Sequence, residues 1–375
     1  MLPYGRQSIA EEDIEAVAAV LRGDWLTTGP TVTAFEEALS AITGGHRAVS
    51  CTSGTAALHI AYAAAGVGPG DEVVTTPTTF VATASGASIL GAKIVFADVE
   101  DDTALIDPAL VDTLVTERTK VIAAVDYAGQ PADYAALQPI ADRVGALTLD
   151  DAAHSIGGTY HGRPVGDLAD LTTLSFFPTK NLTTAEGGAV IAKDAALAQR
   201  AHEFHFVGLM RDPARFRMTD EGPWHQEVHE IGLNYRLTDL QCALGLAQLK
   251  RLDAFKRRRA EITARYNSAF AGVAGLRTPT QRADVDPAWH LYPIRVLDGR
   301  RREVFEAMRA AGIGVQVNYI PVYWHPAYAD LGYQRGMCPN AEAFYAEEIS
   351  LPLFPDLTDS QVDQVIETLT GIVGS

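Results

Sequence analysis

Cysteine is nearly absent: Cys51, Cys242 and Cys338 are the three in 375 residues. They are too few and too far apart for a disulfide framework, and their spacing matches no metal site, so small buried hydrophobes are the simplest reading and no metal is expected. Long apolar runs are also missing. None approaches the roughly 18 to 20 residues that span a bilayer, and the start MLPYGRQSIAEEDIE lacks the cationic-then-apolar export pattern, which together point to a soluble, cytoplasmic chain away from membranes. Positive charge is scarce as well. A formal net charge of −17 argues against nucleic acid, whose phosphates require clustered Lys and Arg. The one basic cluster, KRRR at 256–259, sits in a helical pattern with apolar Leu249, Leu252, Phe255 and Ile262, so it reads as a solvated helix face. Internal repeats, low-complexity tracts and disordered linkers are absent too.

What the chain does have is apolar content, 47% of its residues, enough for a large core and, at this length, two domains. Short β-branched runs at 73–75, 94–97, 121–125, 147–150, 171–177 and 189–192 alternate with helical stretches at 55–65, 81–90, 131–144 and 195–205. Strands buried on both faces and joined by crossover helices predict an α/β architecture: a mostly parallel sheet with ligands beyond the carboxyl ends of its strands. A long helical span follows at 237–272. Strands at 290–297 and 314–319 and helices near 302–311, 341–349 and 360–372 then predict a smaller C-terminal α+β domain. The expected division is 13–250 and 251–375, with residues 1–12 packing on the latter.

Four segments beyond predicted strands carry chemistry. SFFPTKNLTTAEGGAV holds Lys180 at a strand end, where an amine desolvated enough to lose its proton attacks a carbonyl. CTSGTAAL puts Thr52, Ser53, Gly54 and Thr55 at a helix N-terminus, whose hydroxyls and free amides suit a phosphate; an ordinary N-cap is the competing reading. LTLDDAAHS ends a strand with Asp151, which suits a protonated pyridine nitrogen, and His154 follows on the same edge; a helix N-cap with a surface histidine is the competing reading. TTPTTFVATAS places Phe80 where a ring can stack, unless it is a plain core residue. Ser175, five residues before Lys180, adds a hydroxyl to the phosphate site. Phosphate grip, stacking ring, nitrogen partner and reactive amine are thus all present.

SGTAAL, TTPTTFVATA, LDDAAHS, SFFPTKNLTTAEGGAV and GLNYRLTDLQCALGLAQL, in this order, resemble the DegT/DnrJ/EryC1/StrS family of sugar aminotransferases, and the likeness runs from PYGRQSIAEEDIEAV to LPLFPDLT. The resemblance implies a fold-type I enzyme dependent on pyridoxal 5′-phosphate, with pyridoxamine 5′-phosphate as its amine-carrying form, working as a homodimer with shared active sites. It implies that Lys180 bonds the cofactor and shuttles the proton, Asp151 meets the pyridine nitrogen, His154 lies near the ring hydroxyl and Phe80 stacks. Ser53, Gly54, Thr55 and Ser175 match phosphate positions. Asn234, in GLNYR, matches an asparagine that serves the neighbouring subunit's phosphate. Relatives with histidine in place of the lysine perform dehydration, so Lys180 implies transamination, with glutamate as amino donor.

DYAGQPADY, TTAEGG, GVQVNYIPVY and WHLYPIRV look most like the branch that aminates C4 of UDP-linked 4-keto-6-deoxy sugars, the pseudaminic acid pathway's transaminase among them. His290, Tyr292, Asn318 and Tyr319 become candidate substrate residues. Asn318 stands where many of these relatives carry histidine, and an amide cannot titrate as imidazole does. Amination at C3 or of a keto-cyclitol is the alternative, and a non-catalytic ligand-binding relative a further one. HEFH at 202–205 lacks a third metal ligand and reads as a solvated face. GVGPGD at 66–71 reads as a turn, and the polar stretch 211–229 as an arm toward a partner.

Overall fold

A computed structural model describes residues 1–218 and 221–374. Its centre is a seven-stranded sheet in the spatial order Arg47–Cys51, Gly188–Ala192, Leu171–Ser175, Leu147–Asp151, Thr119–Val125, Glu72–Thr75, Lys93–Phe96. Gly188–Ala192 runs antiparallel to both neighbours and every other pairing is parallel.

Alternation along the strands splits the core between the two faces. Val73, Ile94, Leu149 and Leu171 pack beneath the helices Gly54–Ala64 and Ala82–Ile89; Val74, Ile122, Ala124 and Leu174 pack on the other side with Phe35, Leu137 and Cys242. Each fully buried aliphatic side chain contributes about 1.5–3 kcal/mol. Both faces are therefore covered by packed layers. All three cysteines are buried and unpaired.

A third apolar cluster gathers Tyr266, Phe270, Tyr292, Ile294, Ile349, Leu351, Val365 and Leu369 around an antiparallel sheet of Leu276–Arg277, Tyr292–Val296 and Glu348–Leu351. The N-terminal residues join it. Leu2 exchanges backbone hydrogen bonds with Gly312 and Gly314 at 2.7 and 2.8 Å, and the Leu353 amide donates to the Tyr4 carbonyl at 3.3 Å.

Several local expectations need correction. The span 237–272 is two helices, Asp239–Leu249 and Leu252–Phe270. The first is closed by a capping box in which Thr238 and Gln241 bond each other's backbone. Residues 314–319 form no strand: Gln316 makes a single bridge to Ser350. The helix expected over 341–349 ends at Glu347 and passes directly into the strand Glu348–Leu351. The strand Arg47–Cys51, with its short and partly polar sequence RAVSC, gave no apolar signal of its own.

Two readings of surface groups also change. KRRR is not a solvated face throughout, because Arg259 is 1% exposed and donates to the carbonyls of Leu353 at 2.7 Å and His290 at 3.3 Å. In HEFH, His205 is buried, packed 4.9 Å from the His202 ring. Helical period alone does not reveal which side a neighbouring layer will cover. Among the described residues no helix is long and apolar enough to cross a membrane.

Candidate active site

The carboxyl ends of Leu147–Asp151 and Leu171–Ser175 open into a cavity of about 530 Å³. It is lined by Ser53, Gly54, Thr55, Phe80, Asp151, His154, Ser175, Lys180, His290, Asn318 and Tyr319, so eleven residues singled out in the sequence meet around one space. Tyr4, Thr79 and Thr83 line it as well.

Lys180 lies in the irregular loop after Leu171–Ser175, held by its amide's bond to the Phe177 carbonyl at 2.9 Å. Desolvation lowers its ammonium to about 8, against the opposing pull of the Asp151 carboxylate. Roughly a tenth is therefore free amine at pH 7, and about half near pH 8. Asp151 is buried, and burial raises its carboxyl above the usual range while the Thr83 hydroxyl and Lys180 pull it back. The Thr83 Oγ1 donates to Asp151 Oδ2 at 2.6 Å and itself lies 2.7 Å from Thr79 Oγ1. Two threonines thus orient a carboxylate that faces the cavity.

His154 is 4% exposed, and desolvation first, then Lys180, holds its imidazole well below its ordinary range, as a neutral ring. Its Nε2 meets the Tyr319 hydroxyl at 3.2 Å and its Nδ1 has no partner among the described residues. His290, its ring 4.5 Å away, is held neutral by the same desolvation, and its Nδ1 is likewise unpartnered. Asn181 pins this corner by donating to the carbonyls of His154 at 3.1 Å and Ala288 at 2.7 Å.

Opposite, Ser53 caps the helix Gly54–Ala64, its Oγ accepting from the Ala56 amide at 3.1 Å. The ordinary N-cap role is real. It coexists with a cradle: a Cβ on Gly54 would stand 2.8 Å from Ser175 Cβ, so only glycine lets the helix start close against that serine. First-turn amides, hydroxyls and a helix dipole then converge as an anion site requires. Phe80 is 58% exposed, which rules out a plain core role, and its ring lies 6.2 Å from that of Tyr319.

Three sequence candidates fall elsewhere. Tyr292 is not a pocket residue: it is fully buried in the third cluster, bonded through its hydroxyl to Asn267 Oδ1 at 2.8 Å. Thr52 lies outside the cavity lining, and its amide donates to the Tyr235 carbonyl at 2.8 Å. Asn234 is exposed and absent from this chain's own cavity. Asn318 lines the cavity but spends its amide inward, donating from Nδ2 to the Tyr4 hydroxyl at 2.8 Å and Ser350 Oγ at 3.0 Å. Tyr4 and Thr83 were missed by sequence reasoning. Thr83 lay within a quoted motif as an unremarked helix residue, and Tyr4 is 314 positions from its partner, so no local signal marks it.

These residues fit a phosphorylated pyridine aldehyde: an anion cradle, a buried carboxylate for a ring nitrogen, imidazole nitrogens without a partner among the described residues and a lysine whose ammonium is lowered by burial share one cavity of adequate size. Comparison with known proteins agrees. The model of the DegT/DnrJ/EryC1/StrS aminotransferase family matches residues 7–370. The spore coat polysaccharide biosynthesis protein SpsC of Bacillus subtilis is 41% identical, the match covering 99% of this chain and 97% of SpsC. Spr1654 of Streptococcus pneumoniae, in its PMP form, superposes with a TM-score of 0.93 at 32% identity over 100% of this chain and 99% of that one. PseC of Helicobacter pylori, an aminotransferase of pseudaminic acid biosynthesis, gives 0.92 at 31% identity over 100% and 99%. The chain belongs to the DegT/DnrJ/EryC1/StrS family and is a sugar aminotransferase that depends on pyridoxal 5′-phosphate.

Proposed function

We propose that the protein transfers an amino group from glutamate to C4 of a nucleotide-linked 4-keto-6-deoxy sugar. The observation that carries this is the facing of the Lys180 amine and the buried Asp151 carboxylate across one cavity, in a chain 31% identical to PseC along its whole length. The cofactor, when bound, supplies an electron sink for the carbon that exchanges its amine. Lys180 is the group that bonds the cofactor and, once released, moves a proton to and from the reacting carbon. Asp151, oriented by Thr83, keeps the ring nitrogen protonated, and Ser53, Gly54, Thr55 and Ser175 hold the phosphate. His154 and Phe80 fix the ring, and His290, Asn318 and Tyr319 border the sugar.

We read the active unit as a homodimer in which Asn234 completes the second copy's phosphate site. Its exposure away from its own cavity supports this, as do Trp25, Trp224 and Ile231, apolar side chains 58%, 76% and 89% exposed. The division near residue 250 belongs to the same reading, with the third apolar cluster as the core of the smaller domain.

The test is a visible spectrum of the purified protein with and without glutamate, followed by amination of a panel of UDP-, GDP- and dTDP-linked keto-sugars. A glutamate-dependent loss of the lysine-bound cofactor band and turnover of a 4-keto-6-deoxy sugar are expected. An unchanged spectrum would refute the transaminase reading, and exclusive use of a 3-keto sugar or a keto-cyclitol would refute the C4 assignment.

A further inference from the structure

Beneath the site, on the opposite face of the sheet from Asp151, lie two more carboxyl groups. Asp150 precedes Asp151 in the strand Leu147–Asp151 and therefore points the other way. Its register partner is Ala124, and two residues beyond, on the same face, comes Asp126. Both aspartates are 0% exposed, and neither forms an ion pair among the described residues.

Asp126 is well supplied with donors. Its Oδ2 accepts from Ser155 Oγ at 2.6 Å; its Oδ1 accepts from the Ala132 amide and the Tyr134 hydroxyl, each at 3.0 Å. Among the described residues neither Asp150 oxygen has a hydrogen-bond partner; the Tyr134 hydroxyl, whose proton goes to Asp126, is near enough to pull Asp150 down against the effect of burial. An ionised carboxylate with no donor and no cation, fully out of water, is among the costliest groups a protein can hold. The register puts the two carboxyls side by side on one face, near enough for Asp126 to push Asp150 up, and a proton kept on one of them resolves the conflict.

We propose that Asp150 is present as a carboxylic acid that donates to Asp126, and that this acid–carboxylate bridge is the positioning device for the turn carrying Asp151 and His154. The mechanical link is short. Asp126 clasps Ser155, one residue past His154, while the Asp126 amide donates to the Asp151 carbonyl at 3.2 Å. Remaining charges around the pair agree with one retained proton. Asp151 adds repulsion from the cavity side, Tyr134 is a neutral phenol, and Lys193 contributes a Coulombic attraction without a contact. Burial raises both carboxyls above the carboxylate range, Asp150 the more strongly because the Asp126 charge adds to it.

The consequence for the site rests on the roles given above to Asp151 and His154, but the protonation does not, and the test separates them. An aspartate that stays protonated in the fold and ionises near pH 3.9 when unfolded makes the folded state bind the extra proton, so stability falls as pH rises above that value. Asp150→Asn, a neutral donor of the same shape, lacks that decline. The melting temperature of Asp150→Asn minus that of the wild-type holoenzyme should therefore grow between pH 5 and pH 8, by ~2 °C or more. The wild type at pH 7 should also show the infrared carbonyl stretch of a protonated acid, diminished in the variant. A constant or shrinking difference, or an undiminished band, overturns the protonation. Asp126→Asn gives the same pH comparison should the first variant fail to fold. For the positioning role, the cofactor dissociation constant should stay near wild type in Asp150→Asn and weaken about tenfold in Asp150→Leu, which has no donor. Equal weakening in both overturns that role.

Discussion

At the scale of single residues, the active site depends on side chains removed from water and then restrained. Lys180 is the clearest case. Its ammonium, lowered to about 8, makes the amine available near neutrality, so the rate at which cofactor-free protein regains colour with pyridoxal phosphate should rise with pH and level off above about 8. A rate flat from pH 6 to 9 would contradict the desolvation argument. Replacing Lys180 with alanine should abolish turnover and the visible band together. Thr83 acts one step further out. Thr83→Val keeps the shape but strips the hydroxyl from a buried carboxylate, a loss of about 1–3 kcal/mol. Cofactor affinity should fall by roughly tenfold or more with little change in fold, and equilibrium dialysis against pyridoxal phosphate measures it.

Elements explain why those residues meet. Six strands run in one direction, so the reactive loops leave the sheet at one edge, and the helix Gly54–Ala64 points its N-terminus at the same edge. Asp239 shows how the frame is held: 0% exposed, it accepts from the amides of Gly29 at 2.8 Å and Thr31 at 3.0 Å and so caps the helix Pro30–Ile42 from the first turn of its own. Asp239→Ala strands two donors and should cost about 2 kcal/mol, read as a lowered denaturant midpoint with an unchanged slope.

For the whole molecule, pH acts through carboxyls that the fold removes from solvent. Glu348, in the strand Glu348–Leu351, is 0% exposed and raised to about 8 by burial, against hydrogen bonds from Ser350 and the Asn318 amide at 2.7 Å. Its folded value lies above the unfolded value of about 4.3, so its contribution is complete below the latter and is lost as pH climbs through the former. Melting temperature should fall between pH 6 and 9, and Glu348→Gln should flatten the fall; equal slopes would refute a buried neutral acid. At the level of assembly, Lys180→Ala and Asn234→Ala proteins, each inactive alone, should recover partial activity on mixing if the site is shared between copies.

Legibility followed the range of each interaction. SFFPTKN, LTLDDAAHS and CTSGTAAL were readable because a strand end, an N-cap and the residues that use them are contiguous, and the sequence by itself determined the family, the mostly parallel sheet and the placing of Lys180 beyond a strand end. Only the tertiary structure decided that Arg259 is buried, that Tyr292 belongs to a core and that Asn318 is spent on Tyr4 and Ser350, because each outcome depends on chain hundreds of residues or a whole layer away. The alternation of Asp150 and Asp151 shows the boundary within one dipeptide. Sequence places the two carboxyls on opposite faces, but only the packing of Asp126, Tyr134 and Ser155 leaves one of them without a donor, and a carboxyl stripped of both water and donors must keep its proton.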